Sequence, residues 1–270
     1  MSVRLHGKPP YQIALVHQPG ISGVLGSFAR SLSERYGVIE LIQTKDSLEE
    51  LLIEMVNDLS HFQEQQIVLI GHSYGGWIAG LYASKRIHNI NKLILIGSPP
   101  LDSNYDYIIE IKRRLHYNDE QLEEFNHLTN LLRETSTNKE KDKLLRRYDE
   151  LCKLADEYQP ITNDNNNYNF IQFNGTRYSE IMLELMQLRD NGGLLDIFKK
   201  LNIMIALIHG EFDTHPLDGV LEPFLKSKIQ HTYCLLEDCG HSPWMEMGAW
   251  SIFQRVLDYE IKDAFSRGEN

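Results

Sequence analysis

Gly71-His72-Ser73-Tyr74-Gly75 fits the pattern G-x-S-x-G, in which a serine sits on a strained strand-to-helix turn with its hydroxyl exposed. Glycines two residues to either side are needed because strand and helix crowd that turn. A serine hydroxyl attacks a carbonyl only when a base takes its proton, and the base needs an acid to orient it. Two later stretches offer these in the chain order serine, acid, histidine: His209-Gly210-Glu211-Phe212-Asp213-Thr214-His215-Pro216 and Cys239-Gly240-His241-Ser242-Pro243-Trp244. Asp213 lies three residues past Gly210 and 28 before His241, which favours it over Glu211, Asp218 and Glu237. The chemistry these types allow is acyl transfer. Ser73 attacks, His241 takes and returns the proton, and Asp213 holds the imidazole in one tautomer.

Those residues need a scaffold that brings them together. Short β-rich apolar runs alternate with helical patterns: Gln12 to Val16 then Val24 to Glu34, Val38 to Ile42 then Ser47 to Phe62, Ile67 to Ile70 then Tyr74 to Arg86, and Lys92 to Ile96. Such alternation predicts βαβ units on a parallel sheet. The rhythm breaks at Gly97-Ser98-Pro99-Pro100 and resumes with Ile203 to Ile208, a helix near Leu217 to Lys226, the strand Thr232 to Leu236 and a last helix from about Pro243 to Phe265. Between the two halves, residues 101–200 carry 33 charges per hundred residues against about 19% elsewhere. Four stretches there, Ile108 to Leu115, Gln121 to Leu132, Lys139 to Leu154 and Tyr178 to Leu188, space apolar residues as amphipathic helices do. Ser73, Asp213 and His241 all follow parallel strands, at the carboxyl edge where sites form. Pro243 suits a first helical position and Ser242 the cap before it, which leaves His241 on a loop.

With these residues in place the chain resembles the α/β-hydrolase superfamily over residues 11–100 and 201–265. The resemblance implies an α/β fold whose mostly parallel sheet of about six strands is flanked by helices. Residues 1–100 and 201–270 would form the core, and 101–200 a helical lid. It places Ser73, Asp213 and His241 on the catalytic positions and calls for neither cofactor nor metal. It also implies an oxyanion hole made by the amide after the nucleophile, Tyr74, and by one from the loop His17-Gln18-Pro19-Gly20, where Gln18 is the second donor. That loop is one residue short of the usual H-G-x-P-G. The N-terminus leaves little room for the family's first two strands, so a truncated sheet edge is expected. The implied activity is serine-dependent hydrolysis of a small ester or amide. An aminopeptidase-like enzyme and a non-catalytic ligand-binding protein are the alternatives.

Other patterns point elsewhere. Gly20, Gly23 and Gly26 with Glu40 behind them mimic a dinucleotide fingerprint, but the spacing G-x-x-G-x-x-G and the preceding Pro19 do not suit one. On one extended strand His209, Glu211, Asp213 and His215 would share a face able to ligate a metal, but Gly210 and Pro216 end the strand and should scatter them. Glu180 and Glu184, one helical turn apart, could bind a substrate amine or form a solvated face. Seven of the thirteen tyrosines (105, 107, 117, 148, 158, 168 and 178) lie in residues 101–200, as pocket lining or as core. The Asn174-Gly175-Thr176 sequon reads as a surface turn.

With 270 residues and 42% hydrophobic content the chain can bury a sizeable core. A net charge of −11 repels nucleic acid and anionic membrane alike, leaving a small-molecule substrate as the expected partner. Three cysteines (152, 234 and 239) suggest free thiols in a reducing compartment. The basic N-terminal residues have no apolar run behind them, so a cytoplasmic location is expected.

Overall fold

The computed structural model describes residues 1–85, 90–134, 138–161 and 171–266; Tyr168 and the run Asn163 to Asn169 lie outside them. Its centre is a seven-stranded sheet built from β1 (Val3–His6), β2 (Tyr11–Val16), β4 (Gly37–Leu41), β5 (Ile67–His72), β6 (Ile90–Ile96), β8 (Met204–Gly210) and β9 (His231–Leu236). The spatial order is β1-β4-β2-β5-β6-β8-β9. Six strands run parallel, the number expected. The seventh, β1, pairs antiparallel with β4, from Val3 opposite Leu41 to His6 opposite Val38. This strand, absent from the sequence pattern, packs Val3 against the core and is tied by charge at Arg4 and His6. His6 Nε2 lies 2.8 Å from the fully buried Glu40 carboxylate, with Arg4 3.9 Å from its other oxygen.

Side chains alternate across each strand, so the two faces of the sheet feed two separate cores. Ile67, Leu69, Leu93 and Leu95 point into one, with α2 (Leu48–Leu59), α3 (Gly75–Ser84) and α9 (Asp218–Lys226) over it. Val68, Ile70, Ile94 and Ile96 point into the other, covered by α1 (Gly26–Leu32) and α10 (Trp250–Ser266). The last helix therefore starts later than expected. Pro243–Met245 forms a single 3₁₀ turn, because Glu246 bends inward and accepts the amides of Tyr158, Gln159 and Gly240.

Between β6 and β8 come α4 (Asp106–His116), α5 (Asp119–Glu134), α6 (Asn138–Asp156), α7 (Gly175–Asp190) and α8 (Gly193–Lys199). Of these, α5 and α6 build small clusters around Leu128, Leu151 and Leu145, the last joined by Ile21 from the loop after β2. By contrast, α7 and α8 send Ile181, Leu185, Leu194 and Phe198 into the same core as α2 and α3. Packing therefore merges the end of the charged segment with the sheet, a boundary that charge density could not reveal. A two-stranded ribbon, β3 (Ile21–Ser22) with β7 (Gln172–Phe173), ties this segment to the loop after β2. Asn174 caps α7 by accepting the Arg177 amide at 2.8 Å, so the sequon side chain has a structural task. No described helix is long and apolar enough to cross a membrane, and all three cysteines are free thiols.

Candidate active site

Strand β5 runs straight into the turn and α3 leaves it, so Ser73 is forced to φ 55°, a left-handed conformation that a non-glycine residue adopts only when its surroundings hold it there. The surroundings are tight. A Cβ on Gly75 would stand 2.2 Å from the Val16 carbonyl oxygen, so only glycine lets the elbow lie against the end of β2. The Ser73 amide donates to the Ile96 carbonyl and its own carbonyl accepts from Gly76, which opens α3. Positive helix-end potential therefore falls on this turn.

Asp213 and His241, from loops after β8 and β9, meet with Nδ1 of the imidazole 2.8 Å from Oδ2 of the carboxylate. A carboxylate only accepts, so when His241 is neutral its proton sits on Nδ1 and Nε2 keeps its lone pair. Asp213 is fully buried and serves two further histidines. The His215 amide and Nδ1 approach Oδ1 at 2.9 and 3.1 Å, and His209 Nε2 lies 3.3 Å from Oδ2. Burial would raise the Asp213 carboxyl, but His241, His209 and His215 hold it well below the usual carboxylate range. Burial opposes the His241 imidazolium, yet the Asp213 charge outweighs it and lifts the group to about 9. Burial keeps His72, His209 and His215 neutral, below the ordinary histidine value.

Gly97, at the end of β6, also has positive φ (55°), and a Cβ there would stand 2.9 Å from His241 Nδ1 and 3.1 Å from Asp213 Oδ2. Gly97→Ala should push apart Asp213 and His241, the pair expected to move the proton. We expect a loss of roughly 10- to 100-fold in kcat and a lowered melting temperature. Unchanged turnover in this variant would show that the contact between Asp213 and His241 is not needed.

Ser73, Tyr74, Gln18 and His241 line one cavity of about 1020 Å³. Neither the Gln18 nor the Tyr74 amide bonds to another described residue. The short loop is fastened from behind: His17 Nδ1 donates to the Gln18 carbonyl at 2.6 Å, and Gln43 Nε2 donates to that of His17.

Compared by sequence with family models, the chain matches that of the alpha/beta hydrolase fold over residues 23–246. The chain belongs to the α/β-hydrolase family. Among solved structures it is similar to VinJ, with 16% identity, a TM-score of 0.68 and coverage of 96% of this chain and 94% of that one. It is likewise similar to a carboxylesterase of the thaumarchaeon Nitrososphaera gargenis (14%, TM-score 0.63, coverage 97% and 95%). A third similar structure is E-2-(acetamidomethylene)succinate hydrolase (14%, TM-score 0.61, coverage 96% and 94%). At these identities the likeness is one of fold. No curated protein matches the chain.

In this α/β hydrolase the metal reading needs a correction. The strand does end at Gly210, but the loop gathers His209 and His215 around Asp213 rather than scattering them. Asp213, His215 and His241 hold ligand atoms within 4.8 Å of one another, whereas Glu211 is exposed. The fingerprint-like Glu40 is engaged with His6. Glu184 accepts the Leu48 amide at 3.0 Å and Glu180 is exposed, so neither glutamate faces the cavity. Of the tyrosines, 148, 158 and 178 line the cavity, while Tyr117 is buried and donates to the Leu151 carbonyl.

Three groups that sequence reasoning missed stabilise the loops. Lys112 of α4 donates to the Asp213 carbonyl at 2.6 Å. The Asp156 carbonyl accepts the His241 amide at 2.7 Å, and its carboxylate accepts the Thr214 hydroxyl. Glu246 completes the set. No periodicity marks them, since each acts across a tertiary contact.

Proposed function

We propose that the protein is a serine hydrolase that cleaves a small carboxylic ester through an acyl-enzyme. The observation that carries this reading is the Asp213–His241 hydrogen bond of 2.8 Å at the cavity that Ser73 also lines. Ser73 Oγ attacks the carbonyl while His241 Nε2 takes its proton. The Tyr74 and Gln18 amides stabilise the oxyanion. His241 then protonates the leaving alcohol, and water repeats the cycle to release the acid. Asp213, held as a carboxylate, stabilises the imidazolium in both halves. The segment 101–200, which supplies Tyr148, Tyr158 and Tyr178 to the cavity, acts as a lid that shapes the acyl pocket.

A fluorescent fluorophosphonate tests the reading. Labelling within minutes at Ser73, blocked by Ser73→Ala and mapped by peptide mass, is the expected result. A folded protein that stays unlabelled would point to a ligand-binding protein without hydrolase activity.

A further inference from the structure

The cavity also contains a guanidinium whose fork is only partly met. Arg113 reaches into it from α4. Its side chain is 14% exposed, and its Nε–H is buried without a hydrogen-bond partner. The guanidinium lies over Phe125, 5.2 Å from the ring centroid, a contact that restrains the plane of the fork. Among the described residues its carboxylate neighbour is Asp156, 3.5 Å from one terminal nitrogen. That is too long for a charge-assisted hydrogen bond, which spans about 2.7–2.9 Å. The Thr214 hydroxyl takes the other oxygen of that carboxylate, Oδ1, and leaves Oδ2 facing Arg113. The charge on Arg113 acts on Tyr74 and Tyr148, which line the same space, and Tyr74 directly follows Ser73. Guanidinium and nucleophile thus border one chamber.

Arg113 is thus ion-paired to Asp156 through one terminal nitrogen, but its buried Nε–H has no acceptor, and native structures seldom keep such a donor unless something arrives to meet it. We propose that Arg113 is an anion subsite of this cavity, and that the substrate is a carbonyl compound bearing a carboxylate remote from the bond cleaved. This rests on the hydrolase reading above. The planar carboxylate matches the guanidinium fork in a way that a hydroxyl or a carbonyl does not. A phosphate dianion fits less well, because Lys153, also at the cavity, is held by Asp149 at 2.7 Å. Of the acids lining the cavity, Asp149 is thus engaged, Asp156 accepts from Thr214 and faces Arg113, Glu40 accepts from His6, and burial beside Glu246 pushes Glu157 up to about 7.

The test uses two 4-nitrophenyl esters of glutaric acid, one with its second carboxyl free and one with it methylated. The wild type should prefer the free acid in kcat/KM, and Arg113→Gln should cut that preference about 10- to 100-fold, with Arg113→Lys in between because it keeps charge without the fork. Equal use of both esters by the wild type, or a preference untouched in Arg113→Gln, would overturn the proposal. Stronger preference for a phosphonate-tailed ester would overturn the carboxylate assignment. Calorimetric titration of Ser73→Ala with monomethyl glutarate reads the subsite without chemistry. Binding of the monoanion, absent for the dimethyl ester, is expected, and equal binding of both would sink the proposal. This titration stands whether or not the fluorophosphonate labels Ser73, so the two ideas can fail separately, and it serves even if Arg113→Gln does not fold.

Discussion

Ser73→Ala should turn over a small ester at about one ten-thousandth of the wild-type rate or less, while melting at the wild-type temperature. The Ser73 hydroxyl makes no hydrogen bond to another described residue, so its removal leaves no buried partner unsatisfied. Alanine occupies the same left-handed turn with no larger side chain. No other group is placed to take over. The thiol in the cavity, Cys152, is pushed up to about 12 by burial and so is protonated at neutral pH, and a thiol of that kind is a poor nucleophile. Turnover of 4-nitrophenyl acetate at the wild-type rate by the purified, folded variant would remove Ser73 from the mechanism.

Asp213→Asn should lose on the order of 10³- to 10⁴-fold in kcat. The carboxylate accepts from His241 and twice from His215, while His209, whose Nε2 donates to the His215 carbonyl, lies 3.3 Å away. An amide in its place must turn an NH₂ towards at least one of these donors, and the tautomer of His241 is no longer fixed. The pH profile supplies a second signature. In the proposed mechanism His241 takes the proton only when neutral, so wild-type activity should climb with pH to a plateau with a midpoint near 9. Without the anion that holds its proton, the midpoint should move to lower pH as the plateau falls. Glu211→Gln and Glu237→Gln, both at exposed positions, should stay within about twofold of wild type. A greater loss in either than in Asp213→Asn would reassign the acid.

Sheet and elbow were legible because both are written in local pattern. Apolar alternation such as Ile67 to Ile70 records burial on two faces, and Gly75 records a close approach of backbone to backbone. What stayed hidden depends on partners far along the chain. β1 is four residues long, with Val3 packed against one core and Arg4 and His6 beside Glu40, too short for its alternation to register. The helix expected at Pro243 gives way to a single turn because Glu246 finds three amides elsewhere. Likewise, His209 and His215 converge on Asp213 only because a loop folds back, something that alternation on one strand could not foretell. The subsite donor Arg113 was invisible for a simpler reason: on an amphipathic helix rich in charge, a guanidinium facing inward looks like any other.

The bonds from Asp156 to His241 and Thr214, and from Tyr158 and Gln159 to Glu246, bear on how such a protein could be recombined. Segments between these strands are natural units for transplanting one specificity onto another scaffold. Here a chimera spliced at Leu101 and Lys200 would import a foreign sequence in place of residues 156–159 and strip the His241 loop of its fastening. A transplant that keeps Lys112 and residues 156–161 and exchanges the rest of the segment preserves these fastenings. In lineages of this protein, those six residues should therefore travel with the loops after β8 and β9, not with the helices that surround them.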